Sequence, residues 1–213
     1  MCDLLKYERE LYKEGHELIA GCDEVGRGPL VGPVVAAAVI LPKNYKLEGL
    51  TDSKKLSEKK RNLFYDILTR DAISYGVGIV SAKEIDEINI YEASRKAMLE
   101  ALDNLSIKPD FVLTDAMPMP TIKNSKAIVH GDALSLTIAA ASVIAKVTRD
   151  AMMYELDREH PEYGFKEHKG YPTKKHLENL EKYGILDSYR LTYKPVKNII
   201  DRQDSDMHEK QTN

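Results

Sequence analysis

Four carboxylates in this chain stand at the edges of apolar runs, where a fold could gather them. Asp23 and Glu24 close the run Leu18 to Glu24, Asp115 closes Phe111 to Asp115, and Asp132 follows Gly131 ahead of a long helical pattern. Ligands of an α/β sheet collect at strand ends and nearby helix starts. Acids brought together there raise one another's pKa. A divalent cation such as Mg²⁺ or Mn²⁺, held by oxygen ligands, removes that conflict and binds phosphate as well. Two such ions about 3.5–4 Å apart suit phosphodiester hydrolysis. Taken singly, each acid also has a plainer role as a turn former, and Asp132 could cap the helix it precedes. Neighbouring strand residues point to opposite faces, so Asp23 and Glu24 share a site only where the strand ends or bends. Gly21 and Gly26 permit such a bend.

The stretch after the acidic pair carries a second kind of chemistry. Gly26-Arg27-Gly28 is followed by Pro29 and Gly32-Pro33. Glycine lets a backbone approach a ligand closely, a main-chain N–H or C=O can engage a ribose 2′-OH, and Arg27 can clamp a phosphate. The same residues also suit a tight turn with an exposed arginine. Lys54, in Asp52-Ser53-Lys54-Lys55-Leu56, offers a phosphate contact. So does the crowded segment Lys166, His168, Lys169, Lys174, Lys175 and His176 around Tyr171. Cations with an interleaved ring suit a nucleic-acid strand, since the ring stacks while lysines meet phosphates; a solvated lysine-rich surface is the alternative. Gly170-Tyr171-Pro172 sets the ring in a turn facing outward, whereas Tyr183 and Tyr189 read as packing residues. His130, His160 and His168 lack zinc spacing.

Elements able to position these residues follow from the pattern. A helix from about Asp3 stops at Gly15, strands span Leu18 to Glu24 and Val34 to Leu41, and Ser57 caps a helix to Thr69 with Leu63, Phe64, Ile67 and Leu68 inward. A strand Ile73 to Val80 precedes a Ser81/Glu84 capping box, then an Ala93, Ala97, Ala101, Leu105 helical face. Strands Phe111 to Asp115 and Lys126 to Val129 come next, followed by a helix from Leu134 to Glu159 with the small run Ala139 to Ala141. Thr173 and Gly184 bound a further helix. From Asp201 the chain is polar and reads as a tail without regular structure. Three strands in series and then strand–helix alternation imply an α/β fold, a mixed five-stranded sheet flanked by helices. The expected organisation is one catalytic domain over 1–200, with 160–200 a helical extension, and a tail over 201–213.

Composition narrows the classes. The 213 residues are 43% hydrophobic and 31% charged with a net charge of −3, an ordinary globular balance that leaves nucleic-acid contact to local basic groups. Two cysteines, Cys2 and Cys22, make no disulfide framework. The start lacks the apolar core of a signal peptide, and the longest uncharged stretches, 28–42 and 133–145, are too short to span a membrane. A cytoplasmic protein is expected.

As an ordered set these residues resemble the ribonuclease HII family. The matching segments are Gly21-Cys22-Asp23-Glu24-Val25-Gly26-Arg27-Gly28-Pro29 and Asp52-Ser53-Lys54-Lys55-Leu56-Ser57. Asp115, Gly131-Asp132, Ile138 to Asp150 and His168-Lys169-Gly170-Tyr171-Pro172-Thr173 follow in the family's order, so the likeness covers most of the chain. The resemblance implies a ribonuclease H-like fold with a helical C-terminal extension, and Mn²⁺ or Mg²⁺ held by Asp23, Glu24, Asp115 and Asp132. It implies that Gly26, Arg27 and Gly28 read the 2′-OH and that Tyr171 packs on the sugar at the ribonucleotide–deoxyribonucleotide junction; Lys54 and Lys169 join them as substrate contacts. The implied activity is endonucleolytic hydrolysis of RNA in RNA–DNA hybrids and 5′ to single ribonucleotides in duplex DNA. It leaves 5′-phosphate and 3′-hydroxyl ends and removes misincorporated ribonucleotides and RNA primers. Many members have glycine where this chain has Ala116. Ribonuclease HIII, the rival acting on longer RNA tracts, usually carries an extra N-terminal domain, for which the segment before Leu18 leaves no room. A hybrid-binding protein that does not cut is the rival of another class. No membrane and no stable protein partner are expected, the chain acting as a monomer.

Overall fold

The computed structural model describes residues 4–211, so Cys2, the expected helix start at Asp3 and the last two residues of the tail lie outside the described residues. Five strands, β1 (Ile19–Val25), β2 (Val34–Ile40), β3 (Ser74–Val80), β4 (Phe111–Asp115) and β5 (Ser125–Ile128), form one sheet in the order β3-β2-β1-β4-β5. β1, β2 and β3 pair antiparallel, while β4 and β5 run parallel to β1. The described α-helices are α1 (Lys6–Lys13), α2 (Glu58–Asp71), α3 (Ala82–Ile88), α4 (Ile90–Asp103), α5 (Leu136–Glu159), α6 (Phe165–His168), α7 (Lys174–Tyr183) and α8 (Lys194–Gln211).

β2 explains the layering. Its sequence Val-Val-Ala-Ala-Ala-Val-Ile is buried at every position, as a strand covered on both faces must be. Val34, Ala36, Ala38 and Ile40 meet Ala93, Ala97, Met98 and Ala101 of α4. Val35, Ala37 and Val39 meet Ala139 to Ala145 of α5 and Phe64 and Leu68 of α2. Each of those large α2 side chains contributes about 1.5–3 kcal/mol by burial. Leu63, expected on the same face, is 55% exposed, because the inward stripe of α2 is the narrower Phe64–Leu68 pair.

The caps fall where short polar side chains precede apolar patterns. Ser57, Ser81 and Thr173 accept from the main-chain N–H groups of Lys60, Glu84 and His176. The long helix α5 is capped by Ser135, not by Asp132, which stands free of that duty in a short 3₁₀ turn (Gly131–Ala133). At its start, the buried Glu8 of α1 accepts from the Ser135 and Thr137 hydroxyls and the Thr137 N–H, tying α1 to the first turn of α5.

The C-terminal third builds a separate cluster of Tyr163, Phe165, Leu180, Tyr189, Val196 and Ile199, into which Leu30 and Val31 from the loop after β1 are inserted. Tyr189 is packed there, but Tyr183 is 44% exposed, its ring tilted against Tyr163 at 5.8 Å between centroids. The polar segment after Asp201 continues as helix α8, against the expectation of a tail without regular structure. Buried Val196 and Ile199 anchor its first turns, and Arg202 bonds Glu181 at 2.7 Å.

Candidate active site

β1 and β4 lie side by side and parallel, with Cys22 opposite Thr114, so Asp23 and Asp115 are lateral neighbours one residue farther on. Strand alternation assigns their faces. Ala20 and Cys22 enter the α4-side core, whereas a Cβ on Gly21 would lie 2.1 Å from the Thr137 carbonyl carbon of α5. Asp23 therefore shares the α5 face with Gly21, and Asp115 shares it with Leu113, which packs on Ile138. Only glycine at 21 lets α5 approach β1 this closely, which brings the turn before α5 over the strand ends.

Asp132 arrives on that turn. The Gly131 N–H donates to Asp115 Oδ1 at 2.8 Å, locking the turn to the end of β4. One carboxylate oxygen each from Asp23, Asp115 and Asp132 then lies within 4.8 Å of the others. Asp23 also accepts from the Glu24 N–H at 2.7 Å and from the Ser142 hydroxyl. Glu24 does not join this group. Its Oε1 lies 3.4 Å from Arg27 Nη1 and its buried Oε2 has no hydrogen-bond partner, while its charge still acts on Asp23.

The electrostatics are those of a site short of positive charge. Burial and then the charges of Glu24 and Asp115 push Asp23 well above the ordinary carboxylate range. Burial also raises Glu24, against the opposing pull of Arg27, and raises Asp132, with Asp115 and Asp52 adding to it. Lys54 responds in reverse: burial would lower it, but Asp23, Asp52 and Asp132 together hold it above the usual lysine value. No Lys, Arg or His among the described residues forms an ion pair with any of the three clustered aspartates. The donor set (three carboxylates, one orphaned Glu24 oxygen near them and no ion-paired cation among the described residues) fits a hard divalent ion.

Beyond the acids, Gly26, Arg27 and Gly28 leave β1 with Gly26 at φ +94°, a left-handed turn that an L side chain would strain. A Cβ at Gly26 would strike Arg149 Nε at 2.2 Å, and one at Gly28 would lie 3.3 Å from the Tyr171 ring. The loop and the Tyr171 turn are thus in contact. The Leu30 N–H donates to the Gly170 carbonyl at 2.8 Å, and Tyr171 remains 39% exposed, facing outward from its Gly-Pro turn. Beneath that turn, His168 and His176 stack at 4.2 Å. His176 Nδ1–H donates to the Tyr171 carbonyl and Nε2 accepts from the Tyr189 hydroxyl, while His168 Nδ1 accepts from the Gly170 N–H. Both imidazoles are neutral struts: burial lowers His168 and takes His176 down to about 4.

The crowded basic segment is therefore less basic than its sequence. Its two histidines are buried, and Lys166, Lys174 and Lys175 lie beside Asp157, Glu178 and Glu167. Lys169 folds over the Tyr154 ring at 4.0 Å and bonds the Lys166 carbonyl, with burial lowering its pKa. Arg27 is held by Glu24. Sequence reasoning missed the residues supporting this surface, namely Ser142, Arg149, Arg190 and Tyr193, because nothing in their local patterns separates a buried polar strut from a solvated side chain. Ala116 takes φ +51°, directly after Asp115, which explains why glycine suits that position.

Comparison with known proteins agrees with this geometry. The family model described as Ribonuclease HII matches residues 20–196. The chain is similar to ribonuclease HII of Bacillus cytotoxicus, 58% identical over 198 residues, covering 93% of this chain and 76% of that protein. Among solved structures, ribonuclease H2 from Pyrococcus horikoshii superposes with a TM-score of 0.76 at 31% identity, over 86% of this chain and 97% of that one. The sheet order and flanking helices are thus those of the ribonuclease H-like fold, with additional C-terminal helices. A structure of a PCNA:RNase HII complex from Archaeoglobus fulgidus matches with a TM-score of 0.71 at 26% identity, over 83% and 95% of the two chains. That complex overturns the expectation that a chain of this kind has no stable protein partner.

Proposed function

Because the chain belongs to the ribonuclease HII family, we propose that Asp23, Asp115 and Asp132 hold Mg²⁺ or Mn²⁺ at the scissile phosphate, with Glu24 as the fourth carboxylate. The protein is a metal-dependent endonuclease that hydrolyses the RNA strand of RNA–DNA hybrids. The observation that carries the site assignment is the approach of three aspartate oxygens to within 4.8 Å with no cationic side chain among the described residues ion-paired to them. When bound, such ions would let the acids ionise together and would favour deprotonation of an attacking water.

The chain's own residues supply the rest. The loop Gly26–Arg27–Gly28 brings bare backbone to the sugar carrying the 2′-OH, and Tyr171, standing against Gly28, packs beside the junction. Lys54, whose charge is favoured by Asp23, Asp52 and Asp132 against the effect of burial, meets a phosphate on this reading. Lys169 reaches the substrate only by leaving the Tyr154 ring. On this reading the enzyme cuts 5′ to a single embedded ribonucleotide, leaving 3′-hydroxyl and 5′-phosphate ends, and removes misincorporated ribonucleotides. Residues 1–200 act as one catalytic unit, the 160–200 segment supporting the substrate loops. The cytoplasm suits such a protein: the described cysteine, Cys22, is free and buried, and no described helix is long and apolar enough to cross a membrane.

A strand-specific cleavage assay tests the reading. A duplex with one ribonucleotide, an RNA–DNA hybrid and an all-DNA duplex are compared in Mg²⁺, in Mn²⁺ and in chelator. Metal-dependent cutting of the first two but not the third is expected. Cutting of the hybrid alone would assign the activity to longer RNA tracts instead, and cutting in chelator would remove the metal from the account.

A further inference from the structure

Two arginines, Arg149 of α5 and Arg190 between α7 and α8, are completely buried and pair with no carboxylate among the described residues. A buried cation persists only where hydrogen bonds replace its water. Both find those bonds in the same place, the carbonyls of the loop after β1. Arg190 donates from Nη2 to the Gly26 and Gly32 carbonyls at 2.6 and 2.8 Å, and from Nε to the Gly32 carbonyl at 3.0 Å. Its Nη1 donates to the Arg27 carbonyl and the Tyr193 hydroxyl, both at 3.0 Å, and that hydroxyl donates in turn to the Arg27 carbonyl at 2.6 Å. Arg149 bonds the Val31 and Pro33 carbonyls of the loop at 3.2 and 3.0 Å and the Lys169 carbonyl of the Tyr171 turn at 3.1 Å.

Peptide planarity turns this anchorage into a statement about recognition. In a trans peptide, C=O and the following N–H point in opposite directions, and no cis bond occurs among the described residues. With the Gly26 and Arg27 carbonyls drawn inward by Arg190, the N–H groups of Arg27 and Gly28 face away from it. Neither donates to an acceptor among the described residues. The loop therefore offers two consecutive free donors beside the Tyr171 ring.

We propose that Arg190, completed by the Tyr193 hydroxyl, is a positioning residue for ribonucleotide recognition that fixes the Arg27 and Gly28 N–H groups toward the substrate sugar–phosphate. Arg149 is its companion, locking that loop to the Tyr171 turn. The inference rests on reading Gly26–Gly28 as the loop that senses the 2′-OH.

The test separates recognition from general duplex binding. For wild type, Arg190→Lys and Tyr193→Phe, kcat/KM is measured on a duplex with one ribonucleotide, together with Ki for the same-sequence all-DNA duplex as competitor. Lysine keeps the charge but loses the planar fork, so kcat/KM falls on the order of 10²-fold, the effect of a misplaced substrate contact, with Ki unchanged. Tyr193→Phe, which keeps the arginine and the ring, gives a drop of about threefold to tenfold in the same direction, and it alone decides the outcome if the lysine variant does not fold. Folded variants with wild-type kcat/KM, or a Ki that weakens in step with kcat/KM, would overturn the proposal. A wild type that cuts the ribonucleotide duplex no better than all-DNA would instead overturn the reading of the loop itself.

Discussion

Two buried concentrations of like charge flank the loop after β1, and they are settled in opposite ways. On the α5 face of β1 and β4, Asp23, Asp115 and Asp132 crowd one another with no cation paired to them, and Glu24 keeps a buried oxygen without a partner. Behind the loop, Arg149 and Arg190 are just as buried, yet main-chain carbonyls take up their N–H groups. The basic side is complete within the chain; the acidic side is complete only with something added. That contrast separates structural charge from functional charge: a polar group whose partners are all internal holds the fold, and one left short of partners waits for a ligand.

Asp23→Asn breaks the contrast on its acidic side and has the largest expected effect. Cleavage falls about 10³-fold or more, equivalent to ~4 kcal/mol in the barrier, while the melting temperature of the metal-free protein holds or rises, since one repelling charge is gone. Steady-state kinetics and thermal denaturation in chelator check both halves. Arg149→Met tests the basic side. It leaves the Val31, Pro33 and Lys169 carbonyls without that donor and costs about 3 kcal/mol of stability, read by urea denaturation. Equal stability losses in the two variants would erase the distinction.

The pH dependence sharpens the comparison. Asp23, Glu24 and Asp132 have folded-state pKa values raised above their unfolded ones, by burial first in each; neighbouring carboxylates add to it, and at Glu24 Arg27 opposes it. Between those values the folded state binds more protons than the unfolded one, so metal-free stability falls as pH rises from the ordinary carboxylate range through the raised values. Saturating Mg²⁺ should flatten that fall; calorimetric melting across pH, with and without metal, reads the slope. The smallest effect belongs to Ala116→Gly. Relief of the left-handed backbone after Asp115 should raise stability by about 0.5–1 kcal/mol without changing cleavage, as chemical denaturation beside the cleavage assay would show.

What the sequence disclosed divides along the same line. The acids were legible because each stood at the edge of an apolar run, and the elements because Ser57, Ser81, Thr173 and Gly184 mark helix ends with specific local chemistry. Alternation foretold the difficulty that separates Glu24 from Asp23. The parallel β1–β4 register that joins Asp23 to Asp115 depends on partners ninety residues apart, and no local pattern encodes it. Arg149 and Arg190 were opaque for the same reason, since their carbonyl partners come from distant loops. The basic segment around Tyr171 misled because His168 and His176 stand among lysines in the sequence, whereas packing buries both and lowers their pKa. The segment after Asp201 looked unstructured because its helix draws its anchorage from Val196, Ile199 and the Arg202–Glu181 pair.

The central claim is that the three aspartates act as one metal site. Isothermal titration of Mn²⁺ into the full chain and into Asp115→Asn, each in two buffers of different ionisation enthalpy, tests it most directly. Saturable binding with net proton release in the wild type, abolished or greatly weakened in the variant, is the predicted result. Equal binding by both proteins, or none by the wild type at millimolar Mn²⁺, would contradict the account.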